Sequence, residues 1–372
     1  MIRLDQAAHA ELSPRVFNTI VKVLKYHNGN PSSKHDMGKD AKRILDESRE
    51  KVARFINAEP DEIFFCPSGC AANTLALNVQ YDEDWSIIST QTEHKSIYEN
   101  DSVWEAIKVD KNGLVRDFED LLKVSSVYQD KYPRYFSIIY ANNETGTVQN
   151  IKRLADIVHE HKGFRIHTDA TQYIPHQRVD VKDLGVDALT FSGHKLGCPA
   201  GIAVAYIKKD FQKHIYPLVW GSQEQGLFGG TENIAYIAGL ATAVEEVEEE
   251  YCRDYSDIGN WFVSKLLEIP DTYRIGGDPR IPIASICFKG VEANTLTLML
   301  NDLGVFVSTG SACNSVSLDA SSTILAMGVP EEEAHCVVRF SGYDKVSKET
   351  LNTVVMKVSS TVNMLRNLAN NR

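Results

Sequence analysis

The sequence predicts an α/β protein, with a mainly parallel sheet flanked by helices and a smaller α+β unit after it. Three observations carry this. From about residue 40 to 255, short apolar runs alternate with helical segments, and the runs are β-branched or aromatic, the pattern of strands buried in a parallel sheet. After about residue 255 that alternation gives way to a mixed pattern, with strands expected near 283–289 and 303–308. The distinctive polar motifs fall just beyond the apolar runs, at the carboxyl ends where open α/β sheets bind ligands. We expect a large domain over 15–255 and a small one made of 1–14 with 256–372.

Taken in order, AKRILDESREKVARFI (41–56) reads as an amphipathic helix with Ile44, Leu45, Val52, Phe55 and Ile56 on or near one face. The expected strands are EIFFC (62–66), WSIIS (85–89), YFSIIYA (135–141), FRIHT (164–168), DALTFS (187–192) and GIAVAYI (201–207). TLALNV, after the first of these, reads as a helix, and IAYIAGLATAVEEVEEEY (234–251) as a long one whose later half is acidic. No internal repeat or low-complexity segment stands out.

Composition narrows the function. The chain has 372 residues, 43% hydrophobic and 24% charged, ordinary values for a soluble globular protein with a sizeable core. A net charge of −11 argues against direct binding to nucleic acid or to an anionic membrane. No 18-residue apolar run is present, and MIRLDQAAHAEL lacks the apolar core of a signal peptide. Seven cysteines at irregular spacing look like thiols in a reducing cytoplasm. Cys66 and Cys70 form the one close pair, with no second pair or nearby histidine to complete a zinc site, so no metal is expected.

SGHKLGCPAG (192–201) places Lys195 directly beyond a strand and among glycines. A solvated lysine is the plain alternative; a Schiff-base amine is the chemical one. Asp169 in HTDATQ (167–172) stands at the end of the preceding strand, and pyridoxal phosphate needs both an amine for its aldehyde and an anion for its pyridine nitrogen. CPSGCAAN (66–73), between a strand and a helix, offers a phosphate cradle at a helix start. His94 in TEHKS (92–96) follows a strand and could stack on a ring or move protons; a structural histidine is the alternative. Asn143 in ANNETGTVQ (141–149) could bond the cofactor's phenolic oxygen or a substrate carboxylate, with turn chemistry as the alternative. Cys313 sits in VSTGSACNS (307–315), a run of small residues that favours an exposed, mobile loop over a buried core position.

Together SGHKLGCPAG, HTDATQ, TEHKS, NNETG, GNPSSKHDMGKDA (29–41), GTEN (230–233), STGSACNS and VVRFS (337–341) resemble, in order and spacing, the cysteine desulfurases. These are fold-type I, pyridoxal-phosphate-dependent enzymes of the class V aminotransferase group, and the resemblance runs from about residue 4 to 365. Its Gly-Ser-Ala-Cys loop is similar to that of the long-loop group. The resemblance implies a mainly parallel seven-stranded sheet and conversion of L-cysteine to L-alanine. It implies that Lys195 holds the cofactor and acts as base. Asp169 would pair with the pyridine nitrogen, Gln172 with the phenolic oxygen, and His94 would stack and transfer protons. Gly69, Cys70, Ser192 and His194 would bind the phosphate. Thr231 would reach the phosphate of a neighbouring subunit, which implies a homodimer. Arg339 would clamp the substrate carboxylate, a surface ion pair being its plain alternative. Cys313 would attack the substrate sulfur as a thiolate, become a persulfide and pass the sulfur to an acceptor protein; His94 is the expected acceptor of its proton.

Several positions depart from the family pattern. His9 and Ala10 replace paired threonines, Cys70 replaces a phosphate-binding threonine, and Gln225 and Phe228 replace arginines near the partner-docking surface of housekeeping members. The sequence also stops at Arg372, without the tail that docks an iron–sulfur scaffold. A specialised member is therefore expected, serving tRNA thiolation, DNA phosphorothioation or a dedicated cluster system. The competing readings are a selenocysteine lyase or another class V lyase or aminotransferase, and a non-catalytic scaffold. The cysteine loop argues against plain transamination, and intact Lys195 and Asp169 argue against the scaffold.

Overall fold

The computed structural model describes residues 1–79, 85–100, 103–116, 133–251, 256–277, 280–310 and 319–370. Its strands are β1 (Ile2–Arg3), β2 (Ile63–Cys66), β3 (Ser86–Thr90), β4 (Val103–Ile107), β5 (Arg134–Ser137), β6 (Arg165–Asp169), β7 (Ala188–Ser192), β8 (Ala203–Ile207), β9 (Thr272–Ile275), β10 (Ile283–Phe288), β11 (Val305–Phe306) and β12 (Val337–Ser341). Seven of them form one sheet in the order β2-β8-β7-β6-β5-β3-β4. β8 alone runs against the rest, pairing antiparallel with both β2 and β7. The mainly parallel seven-stranded sheet expected from the sequence is present, and its strands are buried through β2, β5, β7 and β8.

Two differences from the sequence reading have simple causes. β4 was not expected, because VWEAI places a charge inside a short edge strand. The run YFSIIYA leaves the assigned strand after Ser137, yet the N–H groups of Ile138 and Tyr140 still donate to the carbonyls of His167 and Asp169. The segment thus stays beside β6 and delivers the turn at 141–145 to the carboxyl end of that strand.

Helices α1 (Pro14–Tyr26), α2 (Asp36–Phe55) and α3 (Gly69–Leu77) precede α4 (Lys95–Tyr98), α5 (Ile151–His159), α6 (Val181–Leu184) and α7 (Ile234–Glu250). Ser13 caps α1 by accepting from the Arg15 and Val16 N–H groups, and Pro14 suits the first helical position. Val16, Ile20 and Val23 then face inward at helical spacing. α2 begins five residues before its expected start, where the His35 ring accepts from the Gly38 N–H. Both helices join α7 in one apolar cluster.

A second core lies on a three-stranded antiparallel sheet, β12-β10-β9. Here Phe262, Phe288, Leu300, Phe340, Val354 and Val358 pack together with Leu4 from the start of the chain. Helices α8 (Ser256–Leu267), α9 (Ala293–Asp302), α10 (Ser322–Ala326), α11 (Glu331–Ala334) and α12 (Lys348–Asn370) belong to this half. β1 pairs in parallel with β11. β9 and β12 add two strands that sequence patterning did not resolve, since VVRFS is buried at every position and shows no alternation.

One buried ion pair fixes the turn before α7. Arg49 on α2 binds both carboxylate oxygens of Glu224, at 2.8 and 2.7 Å, and donates to the Ile63 carbonyl. The Phe65 N–H also donates to Glu224. Glu224 and Gln225 hold φ of 46° and 56°, left-handed values that non-glycine residues resist. Glu224→Ala should strand the Arg49 charge and lower the unfolding free energy by about 3 kcal/mol in urea denaturation. A loss below about 1 kcal/mol would show that the pair does not hold the turn.

Candidate active site

The parallel register of β6 and β7 sets Asp169, the last residue of β6, opposite Thr190, two residues before β7 ends. Asp169 is buried. Its Oδ1 accepts from the Thr171 N–H at 2.9 Å and its Oδ2 from Asn73 Nδ2 at 2.9 Å. Asn73, on α3 and 2% exposed, also donates to Ser96 Oγ at 3.0 Å, and its Oδ1 accepts from the Thr190 hydroxyl. The buried His167 ring lies 3.1 Å from Thr190 Oγ1 and 2.8 Å from Ser137 Oγ. Burial holds His167 well below the usual imidazole range, against the pull of Asp169.

Lys195 stands three residues beyond β7, in a tight turn. Its Nζ donates to the carbonyls of Ala7 and Ala8, each at 2.6 Å. Gln172 is buried and donates to the same Ala7 carbonyl at 2.9 Å. The first residues of the chain therefore reach the ends of β6 and β7. Ser192 Oγ and His194 Nδ1 are 2.7 Å apart. His194 is held down to about 4, first by burial and then by the Lys195 and His9 charges, so it is neutral at pH 7. His9, where a threonine was expected, stacks on His194 with ring centres 5.3 Å apart.

Gly69 opens α3 against Ser192: a Cβ there would come within 3.3 Å of the serine Cβ. Ser68 Oγ caps the helix at Ala71, and the first-turn N–H groups of Gly69 and Cys70 have no intrahelical acceptor by construction. Cys70 is exposed while Cys66 is buried, so the two thiols do not share a surface.

His94 caps α4. The Ser96 N–H donates to His94 Nδ1 at 3.2 Å, and Ser96 Oγ lies 2.8 Å from the same nitrogen. Nδ1 is thus the lone-pair nitrogen, and a neutral ring carries its proton on Nε2. In the 141–145 turn, turn chemistry falls to Asn142: its side chain accepts from the Glu144 and Thr145 N–H groups and donates to the Thr92 carbonyl. Asn143 is half-buried, and its carbonyl accepts from Arg339 NH1 at 2.9 Å. Arg339 is 1% exposed, which removes the surface alternative, and its NH2 binds Asp5 at 2.8 Å.

Cys313 lies outside the described residues. The positions on either side of 311–318 are described. Ser308 exchanges backbone hydrogen bonds with Arg339. Gly310, at φ 77°, comes so near Glu144 that a Cβ would lie 3.0 Å from its carboxylate, and Ser321 Oγ donates to that carboxylate at 2.6 Å. Burial raises Glu144, against the Ser321 hydrogen bond and the Arg339 charge. Thr231 is exposed.

The aminotransferase class-V family model matches residues 2–354 of this chain. The chain belongs to that family. Among curated relatives of this class-V chain, a cysteine desulfurase IscS of Dictyoglomus turgidum is 35% identical, covering 99% of this chain and 96% of the relative. A solved NifS-like protein from Rickettsia africae superposes with a TM-score of 0.87 at 27% identity, over 98% of this chain and 99% of that one. A structure described as SspA in complex with cysteine gives 0.79 at 26% identity, over 92% and 98%. Class-V aminotransferases of the desulfurase kind are pyridoxal-phosphate-dependent enzymes.

The residues present fit that cofactor. A buried carboxylate, an amine one strand away and a glycine-opened helix start beside Ser192 supply the anion, the amine and the cradle that it requires. Residue patterning missed Asp5, Ala7, Asn73, Ser96 and Thr190. Asn73 left a trace, as a lone amide in the otherwise apolar CAANTLAL, and Glu144 left one as a carboxylate at a strand end, costly there unless hydrogen-bonded.

Glu93 was also missed. It is buried, with Oε1 accepting from the Thr90 hydroxyl at 2.6 Å and the Ile139 N–H at 2.7 Å, while Oε2 has no partner among the described residues. Burial, helped by Asp169, pushes it up to about 8. A raised carboxyl stabilises the fold fully below its unfolded value of 4.5 and loses that contribution as pH climbs through about 8. Glu93→Gln keeps the Oε1 acceptor and cannot ionise. Its melting temperature should therefore fall less steeply than the parent's from about pH 5 to about pH 8. Parallel curves would rule out Glu93 as the group responsible.

Proposed function

We propose that this class-V chain is an L-cysteine desulfurase, which yields L-alanine and leaves the sulfur as a persulfide on Cys313. A buried Asp169 carboxylate at the end of β6, with the Lys195 amine three residues beyond the adjacent parallel strand β7, carries the reading. Bound there, pyridoxal phosphate supplies an electron sink that weakens the substrate C–S bond. Lys195 would hold the cofactor by its aldehyde and move the proton at the substrate Cα. Asp169 would keep the pyridine nitrogen protonated, and Gln172 would serve the phenolic oxygen. Gly69, Cys70, Ser192 and His194 would hold the phosphate.

Arg339 and Asn143 receive the substrate carboxylate. Arg339 is not a preformed open fork: Asp5 and the Asn143 carbonyl each hold one of its terminal nitrogens, which fixes its plane. His94 takes the Cys313 proton, becoming an imidazolium, and can then give one from Nε2, the nitrogen that Ser96 leaves free. The Cys313 thiolate attacks the substrate sulfur; the S–S bond forms as the C–S bond breaks, and the carbon takes up a proton. One L-cysteine and one thiol become one L-alanine and one persulfide, so no outside oxidant is needed.

The wider setting is part of the same reading. A homodimer, with Thr231 reaching the partner's phosphate, is supported by the exposed stripe Phe17, Val21 and Leu24 on α1. Leu4 packs with Phe262 and Phe340, which supports division into 15–255 and 1–14 with 256–372. Phe228 packs on the sheet and Gln225 donates to the Asp61 carbonyl, so neither offers the charge expected for a housekeeping partner. The acceptor is a dedicated protein. No helix of the described residues is long and apolar enough to cross a membrane, and the free thiols suit a cytoplasmic setting.

Cys313→Ala should bind pyridoxal phosphate and change its absorption on adding L-cysteine, yet release no alanine and carry no persulfide. Normal sulfide production by that variant overturns the assignment. Lys195→Ala should lose the covalently held cofactor, seen as loss of its visible band.

A further inference from the structure

The Asn73 amide touches two groups that the proposed function uses, directly on one side and through a single hydroxyl on the other. Its orientation is fixed by chemistry. The Asp169 carboxylate only accepts, so the NH2 side of the amide faces it. The other N–H goes to Ser96 Oγ. The amide oxygen then takes the Thr190 O–H. Thr190, having spent its hydrogen, accepts from His167 Nε2, and His167 Nδ1 accepts from Ser137. Burial keeps His167 neutral, which this pattern requires. On the far side, Ser96 accepts from Asn73 and so turns its own O–H to His94 Nδ1, where the Ser96 N–H also points. Every bond runs one way: from Ser137 through His167 and Thr190 to Asn73, where the chain forks to Asp169 and, through Ser96, to His94.

We propose that Asn73 is a positioning residue, which sets the Asp169 carboxylate and the His94 tautomer together through one buried amide. An amide is suited to this place. It gives two hydrogens and takes one, which neither a carboxylate nor a hydroxyl can do. An aspartate at position 73 would add a second anion beside Asp169, and a serine has one hydrogen to give. The inference rests on the reading of Asp169 and His94 as groups that meet the cofactor, but the hydrogen-bond chain belongs to the protein alone.

The test uses full-length protein with Asn73→Leu and Ser96→Ala, and Asn73→Ser as a smaller change that keeps one donor. The first readout is the histidine nitrogen NMR spectrum, with His94 signals assigned by their loss in His94→Gln. The parent should show a bare Nδ1 and a protonated Nε2 at His94. Asn73→Leu and Ser96→Ala should show a mixture of the two tautomers. The second readout is the pH titration of the visible band of bound pyridoxal phosphate, which Asp169→Asn should displace. Asn73→Leu should displace it in the same direction, whereas Ser96→Ala should leave it in place. Alanine formation should fall about 10- to 100-fold in Asn73→Leu, the scale of a lost hydrogen bond to a charged group, and less in Asn73→Ser. If Asn73→Leu and Asn73→Ser both keep the parent's His94 tautomer and band titration, Asn73 is not a positioning residue. If Asp169→Asn itself leaves the band unmoved, the reading of the site fails instead.

Discussion

A carboxylate buried at the end of a central strand sets the terms for the rest of this molecule. Among the described residues, the hydrogen-bond partners of Asp169 include no cation; a backbone N–H and a side-chain amide satisfy it. An isolated anion in such a place is costly unless donors are rigidly supplied. The supply comes from α3, which packs across β7 and β8 and brings Asn73 to the carboxylate. The same helix offers its first turn as a cradle. On the proposed reading, one element would serve both the ring nitrogen and the phosphate of the cofactor the family uses.

The second half of the site is assembled by the start of the chain. Ala7 places one carbonyl between Lys195 and Gln172, and Asp5 holds Arg339 from the other sheet. The Ala7 N–H donates to Ser341 Oγ, and the Ser341 N–H to the Leu4 carbonyl, so this stretch is clamped on both sides. Glu144 adds a third link, between the turn after β5 and the residues on either side of 311–318.

How much of this was legible in the sequence depends on the kind of contact. Strands of the large sheet could be read because burial on both faces writes itself as continuous apolar runs. β4 could not, since an edge strand needs no such run. Lys195 and Asp169 could be singled out because each stands at or just beyond a strand end within a distinctive polar motif; Gln172 came only from the family resemblance. Ala7 could not be read at all: it acts through its carbonyl, which every residue has. Asp5 and Asn73 are ordinary polar residues until the fold carries them 334 and 96 positions along the chain to their partners. Cys313, expected from its small neighbours, lies outside the described residues.

The span between Asp5 and Arg339 has a consequence for biosynthesis. On the proposed reading, the residues with which one chain would hold the ring and its own phosphate lie between 69 and 195, and the sheet that orders them is complete by Ile207. The guanidinium enters only with β12, after nearly all the chain has left the ribosome. Contacts of such long sequence separation form late. On that reading, a nascent chain would own the parts that grip a vitamin before it owns the arginine that admits an amino acid, and would finish its reactive centre only when Asp5 meets Arg339.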